Sequence, residues 1–298
     1  MLWLMLVLLY HGVRPKGDTV SPDIRHKHVP EQAFAQQLDI LKRSFKVIPL
    51  SEAVARLRDK KPLPKNACVI TFDDGYANNA ETAAPLLKAR GLPATFFVTT
   101  DFIDGSMQLW VDRFELAYSK ISAGTDPSGD AKERERLKKL PTDERERLVT
   151  ELEQRAGTVG QTALLHRAMS WNQVRGLIRH GFEIGAHTKT HPILSRCSSE
   201  QIRDEVVGSK HKIEQELGRP CLHFASPNGQ PDDWNDEVLS VIKQNFASLS
   251  TTISRFAKDG DDPFLIPRIT IDTGEDMPKF LLTVSGIRTM LQGIKRRL

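Results

Sequence analysis

The sequence predicts an α/β fold of the barrel type, and three observations carry that reading. The chain has 298 residues, long for one domain but ordinary for a single α/β barrel. Short apolar and β-branched runs alternate with segments of helical periodicity, the pattern of βα units on a mostly parallel sheet. Several of these runs end in Asp, His or Gly, where a barrel of this kind keeps its functional residues.

The elements follow in chain order. Leu2–Tyr10 is a continuous apolar run. The opening MLWLMLVLLYHGV has the look of a signal peptide, but no basic stretch precedes the run and no small-residue cleavage site follows it. It is too short to span a bilayer. A fully buried strand running into Tyr10-His11-Gly12 accounts for it better, and a cytoplasmic location is the expectation. Pro30–Arg43 carries Phe34, Leu38 and Leu41 at helical spacing, and Phe45–Ile48 reads as a strand. Ser51–Arg58 reads as a helix behind a Ser cap. Ala67–Phe72 is a strand. Asn79–Arg90 is a helix ended by Gly91, with Pro93 beyond, and Ala94–Val98 is the next strand. Strands are also expected at Phe182–Ala186, His223–Ala225, Ala247–Ser250 and Arg268–Ile271. Ser198–Leu217 is the best-marked helix: Ser198 and Gln201 have capping-box spacing, Gly218 is placed to end it, and Pro220 prevents a restart.

One region breaks the rhythm. From about Phe102 to Ala168 no clear strand occurs; Gly124–Asp130 is turn-rich and Lys132–Gln154 is a dense run of mixed charge. The expected organisation is one domain over 1–298 with a helical insertion at about 102–168. That insertion is either a solvated addition or a cap that shapes a substrate groove.

Composition excludes some functions. A formal net charge of +4 is small for this length, and no nucleic-acid-binding signature interrupts the chain. Cys68, Cys197 and Cys221 are too few and too irregular for a disulfide framework or a Cys-based zinc site, and read as buried or semi-buried thiols in a reducing compartment. The terminal KRRL reads as a solvated end.

The chemistry concentrates in two places. VITFDDGY puts Asp73 and Asp74 side by side at a strand end. Neighbouring strand residues point to opposite faces, so the two carboxylates need not share a role. One could bind a cation beside which the other stays ionised; an Asp-Asp-Gly turn is the plain alternative. Glu183–Leu194, EIGAHTKTHPIL, follows a second strand with His187 and His191 four apart. Two imidazoles at that spacing can reach one ion and suit zinc or a similar first-row metal. One Asp and two His leave positions open for water and substrate, as a catalytic site requires. Pro192 argues against a long helix through His191.

With TFDDG, HTKTHP and the later FASPNG, the chain resembles the polysaccharide deacetylases with NodB homology, carbohydrate esterase family four. The resemblance extends to YHGV, VSPDIRHKHVPEQAFAQQLDIL, GLPATFFVTT, LWVDR and MSWNQV. It implies a distorted (β/α)7 barrel and metal-dependent removal of an N- or O-linked acetyl group from a polysaccharide or oligosaccharide, in a setting such as exopolysaccharide synthesis. It implies one divalent ion, zinc before cobalt, nickel or iron. Asp73 matches the family's base; Asp74, His187 and His191 match its metal ligands. Thr188 matches a hydroxyl that steadies the ligand motif. Pro227 and the backbone N–H of Asn228 fall where the family stabilises an oxyanion.

Two departures stand out. No Arg follows Arg219 in the third motif; Arg268 or Arg113 could take its place in supporting Asp73, and Arg268 is favoured. The late stretch Ile269–Asp272 lacks the family's general-acid His; His11 in the N-terminal YH element is the expected replacement, against the alternative of a strand-end His bonded to nearby backbone. Tyr76, Trp110 and Asp112 are candidate sugar contacts, although a Trp anchoring the insertion fits Trp110 as well. Trp171 reads as packing, and Trp234 either packs or lines the groove. Two other functions stay open: a non-catalytic sugar-binding relative, and a hydrolase of small non-sugar amides.

Overall fold

The computed structural model describes residues 4–18, 27–122, 127–272 and 276–287. Its strands are β1 (Leu4–Tyr10), β2 (Gly12–Arg14), β3 (His28–Pro30), β4 (Lys46–Val47), β5 (Ala67–Phe72), β6 (Thr95–Val98), β7 (Glu183–Ala186), β8 (His223–Ala225), β9 (Ser248–Ser250), β10 (Ala257–Lys258) and β11 (Ile269–Thr270). Every expected strand is present, within its expected bounds. Leu2, residues 20–26 of the VSPDIRHK stretch, residues 123–126 and the terminal KRRL lie outside the described residues. The helix Pro127–Lys138 takes up the second half of the stretch expected to be turn.

The main sheet runs β10-β1-β5-β6-β7-β8-β9, with β11 also on β1 and β4 also on β5. Only β10 is antiparallel. The sheet is strongly curled, and one segment ties its two edges. Ile266 bridges Ser250 at the end of β9, and a few residues later Ile269 and Thr270 pair with Leu8 and Leu9 of β1. First and last strands of the chain therefore lie side by side. The result is the distorted α/β barrel that the sequence predicts.

Strand alternation sorts the core. Leu6, Leu8 and Tyr10 of β1 join Cys68, Ile70 and Phe72 of β5 in the cluster between sheet and outer helices. Met5, Val7, Ala67 and Val69 face the other way, with Phe97, Ala225 and Ile266, into the curl. Each fully buried side chain of this size contributes about 1.5–3 kcal/mol, so a one-residue slip would be very costly. The helix Leu50–Arg58 closes the curl at the amino ends of the strands through Leu50, Ala53, Val54 and Leu57.

Local signals explain most helix ends. Ser198 and Gln201 form the expected capping box, and Gly91 and Gly218 take the left-handed φ that ends their helices. Two expectations need correction. Helix Leu50–Arg58 begins before Ser51, and its first amides are taken instead by Glu183 of β7, at 3.1 Å from Leu50 N and 3.3 Å from Ser51 N. The helix expected over Ser198–Leu217 contains a π-helical turn at Asp204–Gly208.

The insertion is helical: Trp110–Ile121, Pro127–Lys138 and Thr142–Ala156. It has a small core of its own, with Trp110, Phe114, Leu137 and Val149 packed against Tyr76 and Phe102 of the barrel. The buried Arg145 guanidinium lies 4.7 Å over the Trp110 ring. No helix among the described residues is long and apolar enough to cross a membrane.

Candidate active site

The carboxyl ends of β1, β5, β7 and β8 open onto one cleft of about 420 Å³, lined by His11, Asp73, Asp74, His187, His191 and Asn228 among others. Asp73 continues the inward series Ala67, Val69, Thr71 of β5, so strand alternation alone aims it into the curl. There it meets Arg268, which is wholly buried. Both guanidinium nitrogens donate to the carboxylate, Nη1 to Oδ1 and Nη2 to Oδ2, each at 2.7 Å. Arg268 is itself fixed by donating to the Thr251 carbonyl at 2.9 Å and the Thr71 hydroxyl at 3.2 Å. The bidentate fork holds the carboxylate in one orientation. Arg113 is engaged elsewhere, with Glu146 and Glu153 inside the insertion.

Asp74 would alternate away, but its φ of 76° is left-handed and turns it back into the same cleft. Thr188, His191 and Asn228 also have positive φ, at 66°, 62° and 58°. Among the described residues this conformation is otherwise seen only at Lys60, Asn66 and glycines. Such backbone costs about 1–3 kcal/mol per residue and gathers at functional sites.

Asp74 Oδ1 lies 3.4 Å from His187 Nε2 and 3.3 Å from His191 Nε2. His187 Nδ1 is 2.8 Å from the Ala225 carbonyl; donation there leaves the Nε2 lone pair facing Asp74. Thr188 donates its hydroxyl to the His187 carbonyl and accepts the His191 amide at 2.9 Å, the steadying role expected of it. Burial pushes the Asp74 carboxyl up, but the two imidazoles and His11 more than offset this and hold it well below the usual carboxylate range. Burial pushes His187 down, yet Asp73 and Asp74 raise it overall. Burial leaves His191 lowered.

The set fits a metal ion. Asp74 Oδ1 is buried and no donor meets it in hydrogen-bond geometry among the described residues. Ligand atoms of Asp74, His187 and His191 all lie within 4.8 Å of one another. Ligands at about 2.0–2.2 Å from one tetrahedral ion lie about 3.3 Å apart, close to the 3.3 and 3.4 Å observed here.

His11 follows β1 directly and lines this cleft. Because β11 pairs with β1, His11 sits beside the stretch Ile269–Asp272 where the late His was missing. Burial lowers its pKa, while Asp74 and Asp73 pull the other way. Asn228 uses its side chain on Asp233 at 2.7 Å and its carbonyl on the Thr252 hydroxyl.

Other candidates fall elsewhere. Tyr76 is wholly buried and donates to the Asp112 carboxylate at 2.9 Å, and Asp112 also binds Lys27 Nζ at 2.6 Å. Neither is among the cleft-lining residues; they brace the cleft wall from behind, so the expected sugar contact is corrected for both. Trp110 does line the cleft while also anchoring the insertion. Pro227 shapes the turn before Asn228 without lining the cleft, and Trp234 and Trp171 pack on the main core. Sequence reasoning missed Lys27, Glu115 and Arg134, which line the same cleft. A second trio, Asp112, Glu115 and His166, also lies within 4.8 Å. Lys27, 2.6 Å from Asp112 and 3.8 Å from Glu115, is already the cation there.

An Asp–His–His trio beside an Arg-braced carboxylate, at the carboxyl ends of a parallel barrel, has a donor set that fits a divalent metal ion. Residues 60–246 match the family model for polysaccharide deacetylase. YxkH of Bacillus subtilis (strain 168), itself named only provisionally as a polysaccharide deacetylase, is 36% identical over 272 residues, 90% of this chain and 71% of that protein. The chain therefore belongs to the polysaccharide deacetylase family. A poly-beta-1,6-N-acetyl-D-glucosamine N-deacetylase of Staphylococcus epidermidis is 34% identical over 107 residues, 33% of this chain and 37% of that one. In fold the chain is similar to the Streptococcus pyogenes deacetylase PplD, solved in complex with acetate: TM-score 0.66, 19% identity, 94% of this chain and 98% of that one. IcaB from Ammonifex degensii is similar at TM-score 0.63 and 19% identity, over 95% and 96% of the two chains.

Proposed function

We propose that this protein is a metal-dependent hydrolase that removes acetyl groups from an acetylated polysaccharide or oligosaccharide. N-acetylated polymers of the exopolysaccharide kind are the favoured substrate class, because one relative is named for that chemistry. A single observation carries the reading: a carboxylate and two imidazoles suited to an ion stand beside a second carboxylate that a buried Arg holds in place. Asp74, His187 and His191 hold the divalent ion, zinc being the best match to the donor set. Such an ion polarises a carbonyl and lowers the pKa of water toward ~7.

The chain's own residues do the rest. Asp73 accepts a proton from water as that water attacks the acetyl carbon, with Arg268 keeping the carboxylate aimed. The backbone N–H of Asn228 donates to the oxygen that gains charge. His11 gives its proton to the departing amine or alkoxide. Acid and base groups of this kind contribute about 10²–10⁴-fold each.

The test is acetate release from acetylated oligosaccharides by purified protein, with and without chelator, alongside metal analysis. Chelator-sensitive release that zinc restores is the expected result. Sugar binding without release from any acetylated substrate would favour a non-catalytic relative, and release insensitive to chelation would remove the metal.

A further inference from the structure

The turn that carries the two histidines is short, belongs to no helix, and is bent through left-handed φ at Thr188 and His191. Something must hold it, because every backbone polar group in such a turn needs a partner. Two foreign elements supply them. On one side, the amides of Thr100 and Asp101 donate to the carbonyls of Thr188 and Lys189 at 3.2 and 3.0 Å. On the other, the amides of Lys189 and Thr190 both donate to Glu205 Oε2, at 2.8 and 2.9 Å, and the Thr190 hydroxyl donates to Oε1 at 2.6 Å. Glu205 is 8% exposed.

Glu205 reaches the turn from the π-helical segment Asp204–Gly208. A π turn adds one residue to a helix and re-aims the side chains on it. Its neighbour Asp204 takes the Lys189 ammonium at 2.8 Å. A Cβ on Gly208 would come within 2.9 Å of the Lys189 side chain, so glycine there lets that chain lie across the helix.

We propose that Glu205 is a positioning residue for the metal centre, clamping the backbone of the Thr188–Thr190 turn so that His187 and His191 converge on Asp74. It touches no ligand side chain; it acts through the peptide groups between them. This rests on the metal reading given above. Partners that orient ligands commonly contribute about 10–100-fold in metal affinity.

The test is zinc affinity of the metal-free protein, measured by competition with a chelating dye, together with its unfolding temperature. Glu205→Ala loses at least about 10-fold in zinc affinity. Glu205→Gln recovers most of it, since the amide oxygen accepts both backbone N–H groups and the NH₂ donates to the Thr190 hydroxyl. Thr190→Val, which removes one of the three bonds and leaves the carboxylate in place, gives a smaller loss and serves if Glu205→Ala does not fold. A role in stability alone would lower the unfolding temperature and leave zinc affinity of the folded protein unchanged; that result for Glu205→Ala or Thr190→Val overturns the proposal. Wild-type protein that binds no zinc would instead overturn the metal reading, and this inference with it.

Discussion

Asp73 and Asp74 are adjacent in the chain but answer to different partners, one to a guanidinium and the other to two imidazoles. That separation makes their substitutions distinguishable. Asp73→Asn keeps the shape but cannot take a proton, so turnover falls by about 10²–10⁴ while bound zinc, read by elemental analysis, is retained. Zinc lost from that variant would contradict the assignment. Arg268→Met leaves a buried carboxylate unpaired, and breaking a buried pair this way costs about 3–5 kcal/mol; urea unfolding of metal-free protein reads it. Histidine protonation gives a third expectation. A ligand must shed its proton to bind metal. His187 is raised above its ordinary value, whereas His191 is lowered and Asp74 is held well below its range. Near pH 6.5, therefore, zinc binding releases on the order of one proton, from His187. The share released by His187 falls as pH rises past its raised pKa, while water on the ion, its own pKa lowered toward ~7, comes to supply a proton instead. Titrating the His187 imidazole of the metal-free protein by NMR separates the two; a midpoint at or below that of an ordinary histidine would refute the assignment. The convergence of Asp74, His187 and His191 was legible because strand ends and His spacing are written in local sequence. The Arg268–Asp73 pair spans 195 positions, so sequence could only narrow the brace to two arginines. Tyr76 and Asp112 misled because polarity near a motif does not reveal which side of a wall a side chain faces.

At the level of elements, caps written in local sequence were readable and caps supplied from afar were not. Ser198–Gln201 satisfies its own helix start. The helix Leu50–Arg58 borrows Glu183, 133 positions away, whose carboxylate also accepts the Thr95 hydroxyl at 2.7 Å. A carboxylate at a helix start meets both unpaired amides and the positive end of the helix dipole. Glu183→Ala leaves those amides and the Thr95 hydroxyl short of an acceptor at the closed end of the barrel. It costs about 1–3 kcal/mol in thermal or urea unfolding and leaves zinc affinity unchanged, since the metal ligands sit at the other end. Zinc affinity falling with stability would mean the two ends are coupled. The π turns at Asn79–Ala83 and Asp204–Gly208 were equally hidden. A single extra residue leaves the apolar periodicity of a helix nearly intact, and only packing against the ligand turn reveals the second of them.

Over the whole molecule, the barrel was legible because the eight expected strands each carry a short apolar or β-branched run, whereas β2, β3 and β10 carry none and were not foreseen; the pairing of β11 with β1 follows once the sheet curls. What the run of mixed charge over Lys132–Gln154 does was not legible, since the same pattern serves a solvated helix and a groove wall. In the fold it is both: Glu135 and Lys138 line the cleft, pair with each other at 2.7 Å, and keep side-chain exposures of 61% and 23%. As an exposed pair they are worth only about 0–1 kcal/mol to stability, so their removal is a clean probe of substrate binding. Neither makes a hydrogen bond or ion pair with Asp73, Asp74, His187 or His191. Contacts made equally to bound substrate and transition state change KM and leave kcat alone. Replacing both residues with Ala therefore raises KM for acetylated oligosaccharides several-fold, each lost hydrogen bond counting for about 0.5–1.5 kcal/mol, with kcat unchanged. A single acetylated sugar offers these two side chains fewer partners than an oligomer, so its KM rises less. If kcat fell instead, or if oligomer and monomer responded alike, the insertion would be support for the barrel rather than a wall that reads the polymer.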